Sequence, residues 1–165
     1  MCGIAGVYQY RNNQPADAGV LAHMLQMIHH RGPDEDGVHL DHNLAFGMRR
    51  LSIIDLAGGK QPIFNEAGDM VIVFNGEIYN YVELRETLRQ QGHTFATASD
   101  TEVIIHLYEE LGEECVHQLR GMFTFAIWDT RRHKLFIARD RLGIKPLYYT
   151  QINDSLVFGS EIKSI

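Results

Sequence analysis

Cysteine is nearly missing from this chain: Cys2 and Cys115 are the only two, with no CxxC and no repeated spacing. That excludes a disulfide scaffold and a thiolate zinc site, and it fits a reducing compartment. Basic residues are also short, with Lys plus Arg at 15 against 21 for Asp plus Glu, a net charge of −6. No basic run or aromatic-interleaved patch offsets that balance, so nucleic acid is not an expected partner. No stretch approaches the ~18–20 apolar residues that span a bilayer, so no membrane association is expected. The amino terminus lacks the charged segment and apolar run of a secretory signal, and the cytoplasm is the expected compartment. Internal repeats, low-complexity stretches and linkers are absent too. The 165 residues, 45% apolar and 22% charged, suit one soluble domain over 1–165 with a full core.

Hydrophobic patterning predicts a chain dominated by strands. Residues 3–10 read as a first strand, and residues 44–54 and 70–74 as buried ones. Val20, Leu21, Met24, Leu25 and Ile28 recur at helical spacing, and the helix they predict ends before His30-Arg31-Gly32-Pro33. Residues 31–37 read as a polar loop. Two consecutive helices then carry end signals. Asn80 can cap the first, with Glu83 placed as in a capping box and Gly92 just past the end. Ser99 or Asp100 can cap the second, which runs through Val103, Ile104, Leu107 and Leu111 to Gly112. A shorter helix is expected over 114–119, and the tail reads as strands at 122–128, 134–138, 147–152 and 156–158. Paired helices without strict βαβ alternation indicate an α+β fold of antiparallel sheets flanked by helices, and four αββα layers would accommodate it.

Chemistry begins at Cys2, directly behind the initiator Met1. Removal of Met1 would leave one residue carrying a thiol and a free α-amine, and an α-amine titrates near ~7.7–8.0, where it serves as a general base. A small apolar residue opening a strand is the plainer reading of the same position. In Met48-Arg49-Arg50-Leu51-Ser52-Ile53-Ile54-Asp55, a strand would send Arg49 and Arg50 to opposite faces. The inward one needs an anion, either a ligand carboxylate or an internal acid such as Asp55. Asn75-Gly76 combines an amide donor with a backbone N–H that no Cβ shields, the parts of an oxyanion hole. Asn-Gly is also the strongest tight-hairpin signal, but a capped helix rather than a second strand follows it. Asp100 can pair with a ligand ammonium or simply sit at a helix start. The nine histidines show no HExxH, and they read as mostly surface residues with no metal site. Cys115, beside Val116 and Leu119, reads as a buried structural thiol.

Six ordered segments together carry a resemblance. They are Met1-Cys2-Gly3-Ile4-Ala5-Gly6, His30-Arg31-Gly32-Pro33-Asp34, Arg50-Leu51-Ser52-Ile53-Ile54-Asp55, Phe74-Asn75-Gly76-Glu77-Ile78-Tyr79-Asn80, Ser99-Asp100-Thr101-Glu102, and the stretch from Arg139-Asp140-Arg141 to Pro146-Leu147-Tyr148-Tyr149. Over essentially its whole length the chain resembles the glutaminase domain of glutamine-dependent asparagine synthetases, class II glutamine amidotransferases of the N-terminal nucleophile hydrolase superfamily. The resemblance implies an αββα fold and hydrolysis of L-glutamine through a Cys2 thioester. It implies that Cys2 is the nucleophile, that Asn75 and Gly76 form the oxyanion hole, and that Arg50 and Asp100 hold the α-carboxylate and α-ammonium. Backbone around Ile53, Ile54 and Glu77 would line the pocket, and residues 139–149 would lie near the partner domain. Ammonia would pass to a synthetase domain or subunit, absent from residues 1–165, that amidates aspartate. No cofactor is implied for this domain; ATP and Mg2+ belong to the synthetase part. A homodimer is compatible with the resemblance. The competing reading is a non-catalytic regulatory or glutamine-sensing module.

Overall fold

The computed structural model describes residues 1–12, 14–51 and 59–165. In chain order the elements are β1 (Gly3–Tyr8), α1 (Ala18–Met27), β2 (Glu35–Asp41), β3 (Leu44–Arg50), β4 (Ile63–Phe64) and β5 (Met70–Ile78). There follow α2 (Tyr81–Gln90), α3 (Asp100–Leu111), β6 (Gly121–Asp129), β7 (Lys134–Arg139), β8 (Tyr148–Ile152) and β9 (Ser155–Gly159). Every strand pairing is antiparallel, and the strands form two sheets, ordered β2-β3-β1-β9-β8 and β4-β5-β6-β7.

Period-two alternation sorts the core into three layers of side chains. Ile4 of β1 and Phe46 and Met48 of β3 meet Val71 and Val73 of β5 and Trp128 of β6, filling the space between the sheets. The opposite face of β1 and β3, through Ala5, Val7 and Ala45, receives Leu21, Met24 and Leu25 of α1. The outer face of the second sheet, through Ile72, Phe74, Phe125 and Ile127, receives Leu88 of α2 and Val103, Ile104 and Leu107 of α3. The order is therefore α1, sheet, sheet, α2 with α3. This is the expected αββα sandwich. Among the described residues, no helix is long and apolar enough to cross a membrane.

Several boundaries differ from the sequence reading, each for a local reason. Residues 35–41 form β2 where a polar loop was expected through residue 37, because β2 is an edge strand whose residues alternate between half-buried and exposed. An edge strand needs no apolar run to persist. The Asn-Gly pair is no turn: β5 continues through Asn75 and Gly76 to Ile78, paired with β6 throughout. Asn80 does occupy the N-cap of α2, but its side chain makes no cap bond there. Instead Nδ2 donates to the Gln118 carbonyl (3.0 Å) and Oδ1 accepts from Arg120 N–H (2.9 Å). Gly92, φ +106°, stands just past the end of α2 as expected. Ser99 caps α3 by accepting from Thr101 N–H (3.2 Å), which leaves Asp100 as the first helical residue. The helix expected over 114–119 is a 3-10 helix over Gly112–His117. The two-residue β4 has no clear sequence signal. Cys115 is fully buried on the helix side of the second sheet, unpaired and remote from the layer that holds Cys2.

Candidate active site

Where β1 begins and β3 ends, three strands align their polar groups. The β1–β3 register pairs Gly3 with Arg49, so Cys2 and Arg50 leave the ladder side by side. The β2–β3 register pairs Glu35 with Arg50, and Arg50 Nη1 donates to Glu35 Oε2 at 2.7 Å. Even-numbered residues of β1 and β3 point between the sheets, so Cys2 follows Ile4, and Arg50 follows Met48, into that layer. Arg49 points the other way and donates to the Leu25 carbonyl of α1 (3.3 Å). Arg50 is almost wholly buried, and the expectation that only one of the two arginines faces a pocket holds. An internal acid does pair with it: Glu35 of β2, where the sequence predicts a polar loop.

Asn75 reaches the same layer from the facing sheet, in phase with Val71 and Val73 of β5. It is 1% exposed, and among the described residues its Nδ2 has no hydrogen-bond partner. A buried unsatisfied donor costs about 1–3 kcal/mol, so the described fold holds an amide N–H ready for an acceptor. Gly76 next to it must be glycine, since a Cβ there would run into the Met122 carbonyl and the Phe123 backbone. Asp100 closes the far side from the start of α3. It is buried, accepts from Ile78 N–H (2.9 Å), and burial pushes its carboxyl above the usual aspartate range despite the hydrogen bonds that oppose the shift.

Cys2, Arg50, Asn75, Gly76, Glu77 and Asp100 thus line one cavity of ≈ 100 Å³. Ile53 and Ile54, assigned to the pocket by resemblance, lie outside the described residues. The Cys2 thiol is half-buried; its Sγ lies 3.4 Å from Leu51 N–H, which donates to it, and 3.6 Å from the Leu51 carbonyl. Met1 precedes it, 61% exposed at the cavity, with Sδ 3.8 Å from Lys145 Nζ.

Three supporting residues escaped the sequence reading. Arg31 donates from Nε to the Cys2 carbonyl (2.9 Å) and from Nη1 to Glu161 (3.0 Å), fixing the nucleophile's backbone. Burial opposes ionisation of Glu161, but Arg31, His30 and Lys163 hold its pKa at about 2. Gln61 is buried and brackets Phe74, accepting from its N–H (2.6 Å) and donating to its carbonyl (3.2 Å), which extends the ladder just before Asn75. Lys145 is buried in the cavity wall. Its loop is wound around Asp140, whose carboxylate accepts from the N–H groups of Phe123, Leu142, Ile144 and Lys145. Of the three, Arg31, inside His30-Arg31-Gly32-Pro33, and Lys145, inside residues 139–149, lie in segments that carry the resemblance; Gln61 does not.

A domain family described as a glutamine amidotransferase domain matches residues 1–165. The chain belongs to the glutamine amidotransferase family. It is 53% identical over 167 residues to asparagine synthetase [glutamine-hydrolyzing] 1 of Bacillus subtilis, covering all of this chain and 26% of that protein. It is 48% identical to asparagine synthetase [glutamine-hydrolyzing] 2 of the same organism, all of this chain and 22% of the relative. Asparagine synthetase [glutamine-hydrolyzing] 2 of Oryza sativa is 43% identical, with 28% of its length covered. The chain therefore spans about a quarter of the length of these relatives. The amidotransferase fold recurs in glutamine phosphoribosylpyrophosphate amidotransferase from B. subtilis, solved with ADP and GMP. There the TM-score is 0.83 at 21% identity, over 99% of this chain and 42% of that one.

Proposed function

We propose that this amidotransferase domain hydrolyses L-glutamine to L-glutamate and ammonia once Met1 has been removed, with Cys2 as nucleophile. The observation that carries the reading is the buried Asn75 amide, whose Nδ2 has no partner among the described residues, sharing one cavity with Cys2, Arg50 and Asp100. A zwitterionic amino acid needs opposite charges at the two ends of its α-carbon. Arg50 would hold the carboxylate and Asp100 the ammonium, leaving the side-chain carboxamide to extend toward sulfur. The free α-amine of Cys2 takes the thiol proton, and the thiolate adds to the carboxamide carbon. The resulting oxyanion accepts from Asn75 Nδ2 and Gly76 N–H. As the C–N bond breaks, the amine returns the proton to the departing nitrogen, which leaves as ammonia. Water then cleaves the γ-glutamyl thioester, giving glutamate and the regenerated thiol. The scheme uses no cofactor in this domain.

The likeness to glutamine-hydrolysing asparagine synthetases supports a synthetase domain or subunit as the ammonia acceptor, where ATP and Mg2+ would be consumed. Leu142, Ile144 and Tyr149 stand 85%, 54% and 71% exposed on the loop and strand that carry Lys145, a surface suited to such a neighbour. The cytoplasm, where unpaired cysteines persist, suits the reaction. Intact-mass spectrometry of the amino terminus together with glutamate release by wild type and Cys2→Ala tests the scheme. Turnover is expected only from Met1-free protein with Cys2 intact. Glutamate release by the Cys2→Ala protein, or by chains that still carry Met1, would overturn it.

A further inference from the structure

Away from the cavity just described, on the outer face of α3, two imidazoles and four carboxylates converge. His106 of α3 is completely buried and His93, in the α2–α3 connection, nearly so, with ring centroids 4.7 Å apart. Each ring spends one nitrogen on a glutamate. His93 Nε2 lies 3.0 Å from Glu110 Oε1, and His106 Nδ1 lies 2.7 Å from Glu109 Oε2. A carboxylate only accepts, so both of those nitrogens carry the proton, and His93 Nδ1 and His106 Nε2 are left; burial opposes the charge on His106, but Glu102 and Glu109 raise its pKa to about 9, so an ion at Nε2 displaces a proton. Those two atoms are buried and, among the described residues, have no hydrogen-bond partner. Glu102, 3.7 Å from His106 Nε2, already accepts from Ala96 N–H, Thr97 N–H and the Thr97 hydroxyl.

We propose that Glu66, His93 and His106 bind a borderline transition-metal dication of the Zn2+ class. The ligand atoms of these three residues lie within 4.8 Å of one another, and His93 Nδ1 is 3.7 Å from Glu66 Oε1. A tetrahedral ion with bonds of about 2.0–2.1 Å separates its ligand atoms by roughly 3.3–3.5 Å, so side-chain rotations of an ångström close the site. A metal-bound histidine characteristically donates its other N–H to a carboxylate, the arrangement both rings already have. Two imidazoles with one carboxylate select zinc-like ions over Mg2+ or Ca2+, which prefer all-oxygen shells. The ion would offset part of the charge of Glu66, Glu102, Glu109 and Glu110; the Arg85 and Arg89 guanidinium groups lie over the Phe95 ring. A cleft of ≈ 600 Å³ lined by Glu66, Thr94, Phe95 and Glu102, but by neither histidine, brings solvent to the carboxylate side of the site. Bound there, it would fasten the connection leading to Ser99 and Asp100 onto α3. Its role is structural rather than chemical.

The test uses the whole chain, stripped with a chelator, in a Cys2→Ala background so that the active-site thiol contributes no binding. Calorimetric titration with ZnCl2 should give one site per chain, and excess zinc should raise the melting temperature, as any ligand of the folded state does. Co2+ should give the visible absorption of a tetrahedral nitrogen–oxygen site, and MgCl2 should give neither heat nor stabilisation. Glu66→Gln, whose amide oxygen can still accept from the Thr94 N–H as Glu66 Oε1 does, and His93→Gln should each weaken zinc at least about 10-fold. Absence of zinc binding, affinity unchanged in both variants, or equal stabilisation by Mg2+ would each overturn the assignment.

Discussion

Asn75→Ala separates catalysis from folding more sharply than any other change in the site. The Asn75 amide sits 1% exposed and, among the described residues, its Nδ2 has no partner, so the resting fold gains no hydrogen bond from that donor. Truncation removes an unsatisfied donor that costs about 1–3 kcal/mol. It also loses the packing of a few buried atoms, a comparable penalty of about 1–2 kcal/mol. The two nearly cancel, and for a domain of this size a residue of ~1 kcal/mol moves Tm by only about 2–4 °C. In the transition state the balance is one-sided, because the negative oxygen loses one of its two donors. Removal of such a donor costs about 2.7–4 kcal/mol, or roughly 10²–10³ in kcat. KM for glutamine should stay within a few-fold, since Arg50 and Asp100 hold the amino-acid end. Steady-state glutamate release and thermal unfolding of the same preparation measure both halves. A kcat loss below about 10-fold, or a collapse of Tm with the activity, would refute the oxyanion assignment.

Other perturbations have equally definite outcomes. Asp100→Asn should raise KM for glutamine by about 30-fold or more, the cost of leaving the ligand ammonium without its partner. Because burial raises the Asp100 pKa in the fold, its ionisation opposes stability once pH rises through that raised value, so the neutral amide should leave Tm at neutral pH unchanged or higher. The same shift means that kcat/KM of the unmodified enzyme falls, as pH is lowered, above the ordinary aspartate range, a limb that pH–rate profiles would locate. Arg31→Lys loses one of two anchors, to the Cys2 carbonyl or to Glu161, and should lower kcat by an order of magnitude or more with little change in KM. Glu161, held at about 2, stabilises the fold above its ordinary pKa and loses that contribution as pH falls toward 2, so Glu161→Gln should flatten the acid unfolding curve. Burial pushes the Cys115 thiol up to about 12, so an alkylating reagent at neutral pH should label one thiol per native chain, and none in Cys2→Ala.

How much of this was legible beforehand follows from what each element needs from its neighbours. Helices α1, α2 and α3 and the buried strands β3, β5 and β6 declare themselves because their apolar spacing must match one packing face. β2 does not, because an edge strand half in solvent carries polar residues at most positions. Its absence from the sequence reading also hid Glu35, and so the acid that pairs with Arg50. Asn80 misled in another way: its position at the head of α2 was correct, but its side chain fastens the 118–120 segment. Local signals locate a cap; they do not say which of two backbones the cap will serve.

The cavity itself depends on parity more than on any motif. Cys2 and Arg50 face inward because they continue the even-numbered positions of β1 and β3, while Asn75 continues the odd-numbered positions of β5. Inserting or deleting one residue in any of those strands would reverse its side chains and empty the site with little change in composition. Resemblance could name the residues but not this phase relation. Nor could it find Gln61, whose amide holds Phe74 in register immediately before Asn75, because an isolated glutamine in a Pro-flanked segment carries no periodic signal. Polar residues that serve as substitutes for missing strand partners have no spacing of their own. They become visible only when the edge that they complete is in place.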